Sequence, residues 1–227
     1  MRWLVTAVSE VAAARFQAWL ATSSIEAVTL GPPWAEPPAG PFDALLLGGG
    51  GDVDPRRYRQ ARHPATDQID EARDALELRL VRDNVERGRP VFGVCRGQQV
   101  IVVALGGALI QHLPDKIPES IERHRDGEGG GDVVHRVVLA GGSRLCDALR
   151  GVERVNSSHH QAAEPDTLPA SLKVAVLSPN GVVEAIESAA ASAVISAVQW
   201  HPERLAADDP AAARLLAHWR RMVGRPG

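Results

Sequence analysis

Cysteine is scarce. Cys95 and Cys146 are the only two in 227 residues, too few for a disulfide framework, which points to a reducing compartment. An excess of positive charge is missing as well. The formal net charge is -3, and Lys and Arg are interspersed with Asp and Glu, so no nucleic-acid partner is expected. Long apolar runs are also lacking. The longest, Val100 to Ile110, is broken by Gly106-Gly107 and falls short of the roughly 20 residues a membrane span needs. The opening segment carries Ser9, Glu10 and Arg15 where a signal peptide would need an unbroken apolar stretch. These absences lead to the expectation of a soluble, cytoplasmic chain with no membrane partner. No compositional break divides it, so residues 1–227 are read as one domain with a full core.

What is present is an alternation of apolar β-type runs and helical patterns. Arg2 to Val8 reads as a strand, Ser9 as a helix cap, and Val11, Arg15, Trp19 and Leu20 mark a helix to about Ala21. Ile25 to Leu30 and Phe42 to Leu47 are further strands, separated by the proline-rich connection Gly31 to Pro41. Ile69 to Arg87 is predicted helical, with acids early and Gly88 after its end. It leads into a short strand at Val91 and a helical segment that stops at Gly106-Gly107. Alternation of this kind predicts an α/β protein with a parallel sheet covered on both faces. Val133–Leu139, Val152–Asn156, Leu172–Leu177, Gly181–Glu187 and Val194–Trp200 read as further strands and hairpins. A final helix starts at Pro210 and buries Leu215, Leu216, Trp219 and Met222. Residues 114–132 are polar and read as a loop or lid.

Three stretches carry chemistry. Gly93-Val94-Cys95-Arg96-Gly97 is in register with the G-x-S-x-G nucleophile elbow, a sharp strand-to-helix turn with a thiol at its apex. A thiol at a helix N-terminus suits a nucleophile, and a buried structural thiol is the alternative on this pentapeptide alone. Gly48-Gly49-Gly50-Gly51-Asp52-Val53-Asp54-Pro55 ends a strand, and its exposed amides can stabilise an oxyanion. It does not fit G-x-G-x-x-G, which would need glycine at Val53 or Asp54. In Gln199-Trp200-His201-Pro202-Glu203 the histidine and the carboxylate two residues on project to one side of an extended backbone, so Glu203 can hold the His201 ring. A zinc set drawn from Cys95, His159, His160, His201 and Glu203 would superficially echo the zinc deaminases. The chain lacks their P-C-x-x-C, and no metal is expected.

Together with Val155-Asn-Ser-Ser-His-His-Gln161 and Val183-Glu-Ala-Ile-Glu187, these blocks resemble the class I glutamine amidotransferase-like superfamily, most closely the γ-glutamyl-γ-aminobutyrate hydrolase family, over roughly residues 42–204. The resemblance implies a flavodoxin-like fold with a mostly parallel central sheet, helices on both faces and the elbow at a strand–helix turn. It implies a Cys-His-Glu triad of Cys95 (nucleophile), His201 (base, then acid) and Glu203 (orienting carboxylate). The oxyanion donors would be the backbone N–H groups of Arg96 and of Gly49 or Gly50. Gln99, His159, His160 and Gln161 would bind substrate. The implied reaction is hydrolysis of a small γ-glutamyl amide through a γ-glutamyl thioester, with no cofactor. The partner is the small-molecule γ-glutamyl substrate, and a homo-oligomer is left open. A glutaminase feeding ammonia to a synthase is the alternative. Val102 stands where the family usually has Asn, and the family tends to be longer at its N-terminal end, so pocket shape and the leaving amine stay open.

Overall fold

The computed structural model describes residues 1–117, 124–125, 131–190 and 194–224. Most of the 114–132 excursion, read as a loop or lid, lies outside the described residues. The first half of the chain builds a parallel core from β1 (Arg2–Thr6), α1 (Glu10–Ala21), β2 (Glu26–Leu30), β3 (Ala44–Leu47), α2 (Glu71–Glu86), β4 (Val91–Val94) and α3 (Arg96–Ala104). Small elements follow: β5 (Leu109–Ile110), α4 (Leu113–Lys116), β6 (Val133–Arg136), β7 (Val138–Leu139), α5 (Arg144–Ala148), β8 (Arg154–Ser157) and β9 (Ala162–Ala163). The chain then closes with β10 (Leu172–Leu177), β11 (Val183–Ser188), β12 (Ile195–Val198) and α6 (Pro210–Val223).

The main sheet has eight strands in the order β2-β1-β3-β4-β12-β11-β10-β7. Its first five run parallel, and β12, β11, β10 and β7 pair antiparallel in turn. The order 2-1-3-4-5 of the parallel part is that of the flavodoxin-like doubly wound sheets, and the antiparallel meander extends it. The central strands β3 and β4 carry no polar side chain and are buried throughout, because both faces are covered. Leu46, Phe92 and Val94 pack against Phe16, Trp19, Leu145, Leu215 and Trp219, from α1, α5 and α6. Leu45, Leu47 and Val91 pack on the other face against Leu76, Val81, Val100 and Ile101, from α2 and α3.

Helix ends follow their caps. Ser9 accepts from the Ala12 N–H, Asp70 from Arg73 and Asp209 from Ala211, and Pro210 opens α6. Three details differ from the sequence expectations. The stretch 114–132, read as a loop, begins inside the helical turn α4. The buried stripe of α1 is Phe16, Trp19 and Leu20, whereas Val11 is 64% exposed, so the apolar face begins a turn later than Val11 suggested. Val133–Leu139 is not one strand. β6 pairs with β8 in a separate two-stranded sheet, and β7 joins the edge of the main sheet against β10. The break falls at Val137, whose N–H donates to the Glu153 carbonyl. Among the described residues no helix is long and apolar enough to cross a membrane.

Candidate active site

Cys95 sits between β4 and α3 with φ 54° and ψ −110°, a left-side conformation that a residue bearing a Cβ adopts only when its surroundings impose it. The surroundings do so here. A Cβ on Gly97 would lie 2.2 Å from the Leu47 carbonyl oxygen, so only glycine lets the first turn of α3 rest directly on β3. The Cys95 N–H donates to Val198 O of β12 at 2.8 Å, fixing the turn to the central strand. The thiol therefore stands at the carboxyl end of the parallel strands, at the start of a helix, and is 5% exposed.

A second strand end delivers a histidine. After β12, His201 and Glu203 flank Pro202, and His201 Nδ1 lies 2.7 Å from Glu203 Oε1. The other side of the ring is hydrogen-bonded with Cys95. Burial opposes charge on His201, but its electrostatic interactions and hydrogen bonds with Cys95 and Glu203 on either side outweigh it and hold its pKa up at about 10. Asn156 of β8 clamps the backbone of this residue. Its Nδ2 donates to the His201 carbonyl at 3.0 Å and its Oδ1 accepts from the His201 N–H at 3.2 Å.

The glycine loop after β3 closes the site from above. A Cβ on Gly49 would come within 2.8 Å of His201 Cε1 and 3.6 Å of the Cys95 Cβ, so this backbone lies directly over the pair. The Arg96 N–H opens α3 and, as a first-turn amide, has no acceptor within the helix. The Arg96 side chain points away from the cleft into a buried ion cluster. It pairs with Asp74 and Glu77 of α2, while Arg73 Nε donates to Glu77 at 2.9 Å and Arg73 Nη2 to the Gly48 carbonyl at 3.0 Å. Burial works against the Glu77 charge, yet Arg73 and Arg96 keep its carboxyl below the usual range. One network thus ties the elbow, α2 and the glycine loop together.

These parts line a cleft of about 220 Å³ that includes Gly49, Gly50, Cys95, Gln99, His159, His160, Gln161, His201 and Glu203, with Asp52, Asp67, Arg15, Arg125 and Arg204 among its charged residues. Gln99 Nε2 donates to the Gln161 carbonyl at 3.1 Å and braces the 158–161 turn. His160 Nε2 is 3.1 Å from Asp52 Oδ1, linking that turn to the glycine loop. His159 contributes to the wall, but its ring nitrogens face the Gln161 carbonyl and Glu184 rather than the cleft. Cys146 is remote from this chemistry, with its thiol donating to Ala175 O at 2.8 Å inside the α5 contact. The sequence-level zinc set is not a cluster among the described residues. The groups with ligand spacing are His124, His135, His159 and Glu184, and Asp52, Asp67 and His160.

Sequence reasoning missed Asn156 and the cluster of Arg73, Asp74 and Glu77. Asn156 lies inside a block already singled out. The Arg73/Glu77 spacing of four residues, beside Asp74, allows an ion pair along one side of the helix, and that was the available signal.

A doubly wound sheet with a strained thiol elbow, a buried histidine–carboxylate pair and a glycine loop over both defines the glutamine amidotransferase-like class. Across 99% of both chains the fold matches the crystal structure of a glutamine amidotransferase from Thermotoga maritima, with a TM-score of 0.67 and 15% identity. The chain belongs to the Peptidase C26 family, which it matches over residues 36–203. Among curated relatives, a Mycobacterium tuberculosis protein named "Putative glutamine amidotransferase Rv2859c" is 45% identical over 163 residues, 71% of this chain and 50% of that one. The γ-glutamyl-γ-aminobutyrate hydrolase PuuD of Escherichia coli K12 is 34% identical over 169 residues, 71% of this chain and 64% of that one. The chain thus spans half of the first relative and just under two thirds of the second.

Proposed function

We propose that this chain is a cysteine hydrolase that cleaves the γ-glutamyl amide bond of a small γ-glutamyl amine. The observation that carries the reading is the meeting of Cys95, His201 and Glu203 beneath the Gly49 backbone in one cleft. In this scheme the Cys95 sulfur attacks the γ-carbonyl carbon, and the carbonyl electron pair moves onto oxygen. The N–H groups of Arg96 and of Gly49 or Gly50 receive that oxyanion. His201, charged beside the thiolate, gives its Nε2 proton to the departing nitrogen as the C–N bond breaks, leaving a γ-glutamyl thioester. The neutral ring then takes a proton from water, which attacks the thioester and releases glutamate and the Cys95 sulfur. Glu203 keeps the ring oriented and stabilises its charge through both halves.

Asp52 and Asp67 share the cleft with Arg15, Arg125 and Arg204, a mixture that suits a glutamyl group carrying both an ammonium and a carboxylate. The similarity to the Escherichia coli γ-glutamyl-γ-aminobutyrate hydrolase supports the same substrate class. A second reading, a glutaminase that supplies ammonia to a synthase, is favoured by the name of the Mycobacterium relative. A panel of γ-glutamyl amides and glutamine, offered to the purified chain alone, separates them. The hydrolase reading expects glutamate from at least one γ-glutamyl amine with no partner protein. An inert panel, with ammonia released from glutamine only when a synthase is added, would replace it with the glutaminase reading.

A further inference from the structure

Behind the cleft wall, four buried side chains from four separate segments converge. His124 follows the α4 segment in sequence, His135 lies on β6, His159 on the 158–161 turn and Glu184 on β11, and none is more than 7% exposed. Their inward atoms lie within 4.8 Å of one another. Glu184 Oε1 is 3.1 Å from His124 Nδ1, 3.4 Å from His135 Nε2 and 3.6 Å from His159 Nε2. Four donor atoms bound to one zinc ion at about 2.0–2.1 Å in a tetrahedron would stand about 3.3–3.4 Å apart. The three approaches to Glu184 bracket that edge length.

The outer nitrogens decide what the inner ones can do. His135 Nδ1 is 2.8 Å from the Arg136 carbonyl, His159 Nδ1 is 2.9 Å from the Gln161 carbonyl, and His124 Nε2 is 3.2 Å from Asn180 Oδ1. A carbonyl oxygen only accepts, so each outer nitrogen carries the proton, and each neutral ring turns a bare lone pair inward. Three lone pairs and a carboxylate then face each other with nothing to donate. His124 Nδ1, His135 Nε2, His159 Nε2 and both Glu184 oxygens are accordingly buried without a hydrogen bond of acceptable geometry. Buried polar atoms left in this state lose the hydrogen bonds they make to water in the unfolded chain and regain nothing. A proton on one ring would satisfy one contact and leave the other two lone pairs against the carboxylate. A single divalent cation satisfies all four, and histidines whose far nitrogen donates to a carbonyl oxygen have the outer hydrogen bonding that fixes a ligand ring.

We propose that His124, His135, His159 and Glu184 bind one divalent transition-metal ion, zinc by the chemistry of its donors, in a closed structural site that holds the cleft wall. All four positions are filled by protein, so the ion has no open position for chemistry and takes no part in bond cleavage. Its effect is mechanical. His124 precedes Arg125, and His159 precedes His160 and Gln161, all three of which line the cleft. The ion would fasten these cleft residues to β6 and β11. The site stands independently of the hydrolase reading, since it does not involve Cys95, His201 or Glu203.

The test uses the full chain purified without a polyhistidine tag. Plasma mass spectrometry should find about one zinc per chain, as a closed four-ligand site requires. After chelator treatment and reloading with Co²⁺, visible ligand-field absorption of a four-coordinate site should appear. The absorption should vanish in His135→Ala and Glu184→Gln and persist in His201→Ala, which separates this site from the catalytic histidine. Because the first two variants remove buried groups and could fail to fold, the wild-type chain provides a second readout. Stripping the metal should lower the melting midpoint by roughly 5–10 °C, the effect of an ion held at about a hundredfold over its Kd, and zinc should restore it. Chain containing negligible metal, showing no cobalt absorption and no response to chelator, would overturn the proposal. So would metal retained at full occupancy by folded His135→Ala and Glu184→Gln. Either result would leave the cluster as a network of shared protons.

Discussion

Gly49→Ala isolates the geometry of the site from its chemistry. Gly49 does not have a positive φ, so alanine fits its backbone, and the whole effect comes from the added methyl. That methyl would stand 2.8 Å from His201 Cε1, so the ring must retreat, by about 0.6 Å to reach the 3.4 Å at which ordinary contact begins. Cε1 lies between the nitrogen bonded to Glu203 and the nitrogen facing Cys95, and pushing it loosens both contacts together. A misplacement of about 1 Å can cost on the order of 100-fold in rate, so a displacement of this size should lower kcat by roughly 10- to 100-fold. KM should change little, because the His201 ring is displaced rather than any group assigned to binding. Steady-state kinetics on the best γ-glutamyl amine measures this, and circular dichroism checks that the variant is folded. Gly131→Ala, where a Cβ would meet nothing within 4 Å, is the control. Wild-type kcat in a folded Gly49→Ala variant would mean that His201 does not need its observed position, and the acid–base assignment would fail.

Arg96→Met should destabilise the chain by about 3–5 kcal/mol, because it leaves Asp74 and Glu77 buried with Arg73 as the remaining cation of the cluster. Chemical denaturation checks this, and a loss near zero would show that the cluster is not held as a charged network. His201 should set the alkaline limb of kcat/KM near pH 10, where the ring loses the proton it must give to the leaving nitrogen. The sign for stability is the same: a folded pKa raised from 6.5 to about 10 contributes stability that is complete below 6.5 and lost as pH rises through 10. Glu203→Gln should move that limb toward neutrality and lower kcat less than His201→Ala does. A limb unmoved in Glu203→Gln, or equal losses in the two folded variants, would reverse the roles.

The parallel half of the sheet was legible because strands buried on both faces spell unbroken apolar runs, as in Ala44–Leu47, and because helices such as Glu71–Glu86 announce their caps. The antiparallel half was harder. Val133–Leu139 looks like one strand by composition, yet its two pieces pair with β8 and β10, partners that only the folded chain brings near. Cys95, His201 and Glu203 could be singled out because each sits in a short motif with a definite local geometry, and the structure brings the three to one cleft. Asn156 was not, since its task is to hold the backbone of a residue 45 positions away. The histidine–glutamate cluster was hidden for the same reason. Its members come from four segments, and no spacing pattern links His124 or His135 to Glu184.

The central claim is that Cys95 forms a covalent γ-glutamyl intermediate, and the most direct measurement is rapid-quench mass spectrometry of the chain during turnover of a γ-glutamyl amine. The account predicts a glutamyl adduct on the Cys95 peptide, absent from Cys95→Ala, which should also be inactive, and present in Cys146→Ala, which should turn over nearly as the wild type does. Undiminished hydrolysis by Cys95→Ala, with no adduct at Cys95 in the wild-type chain, would contradict it.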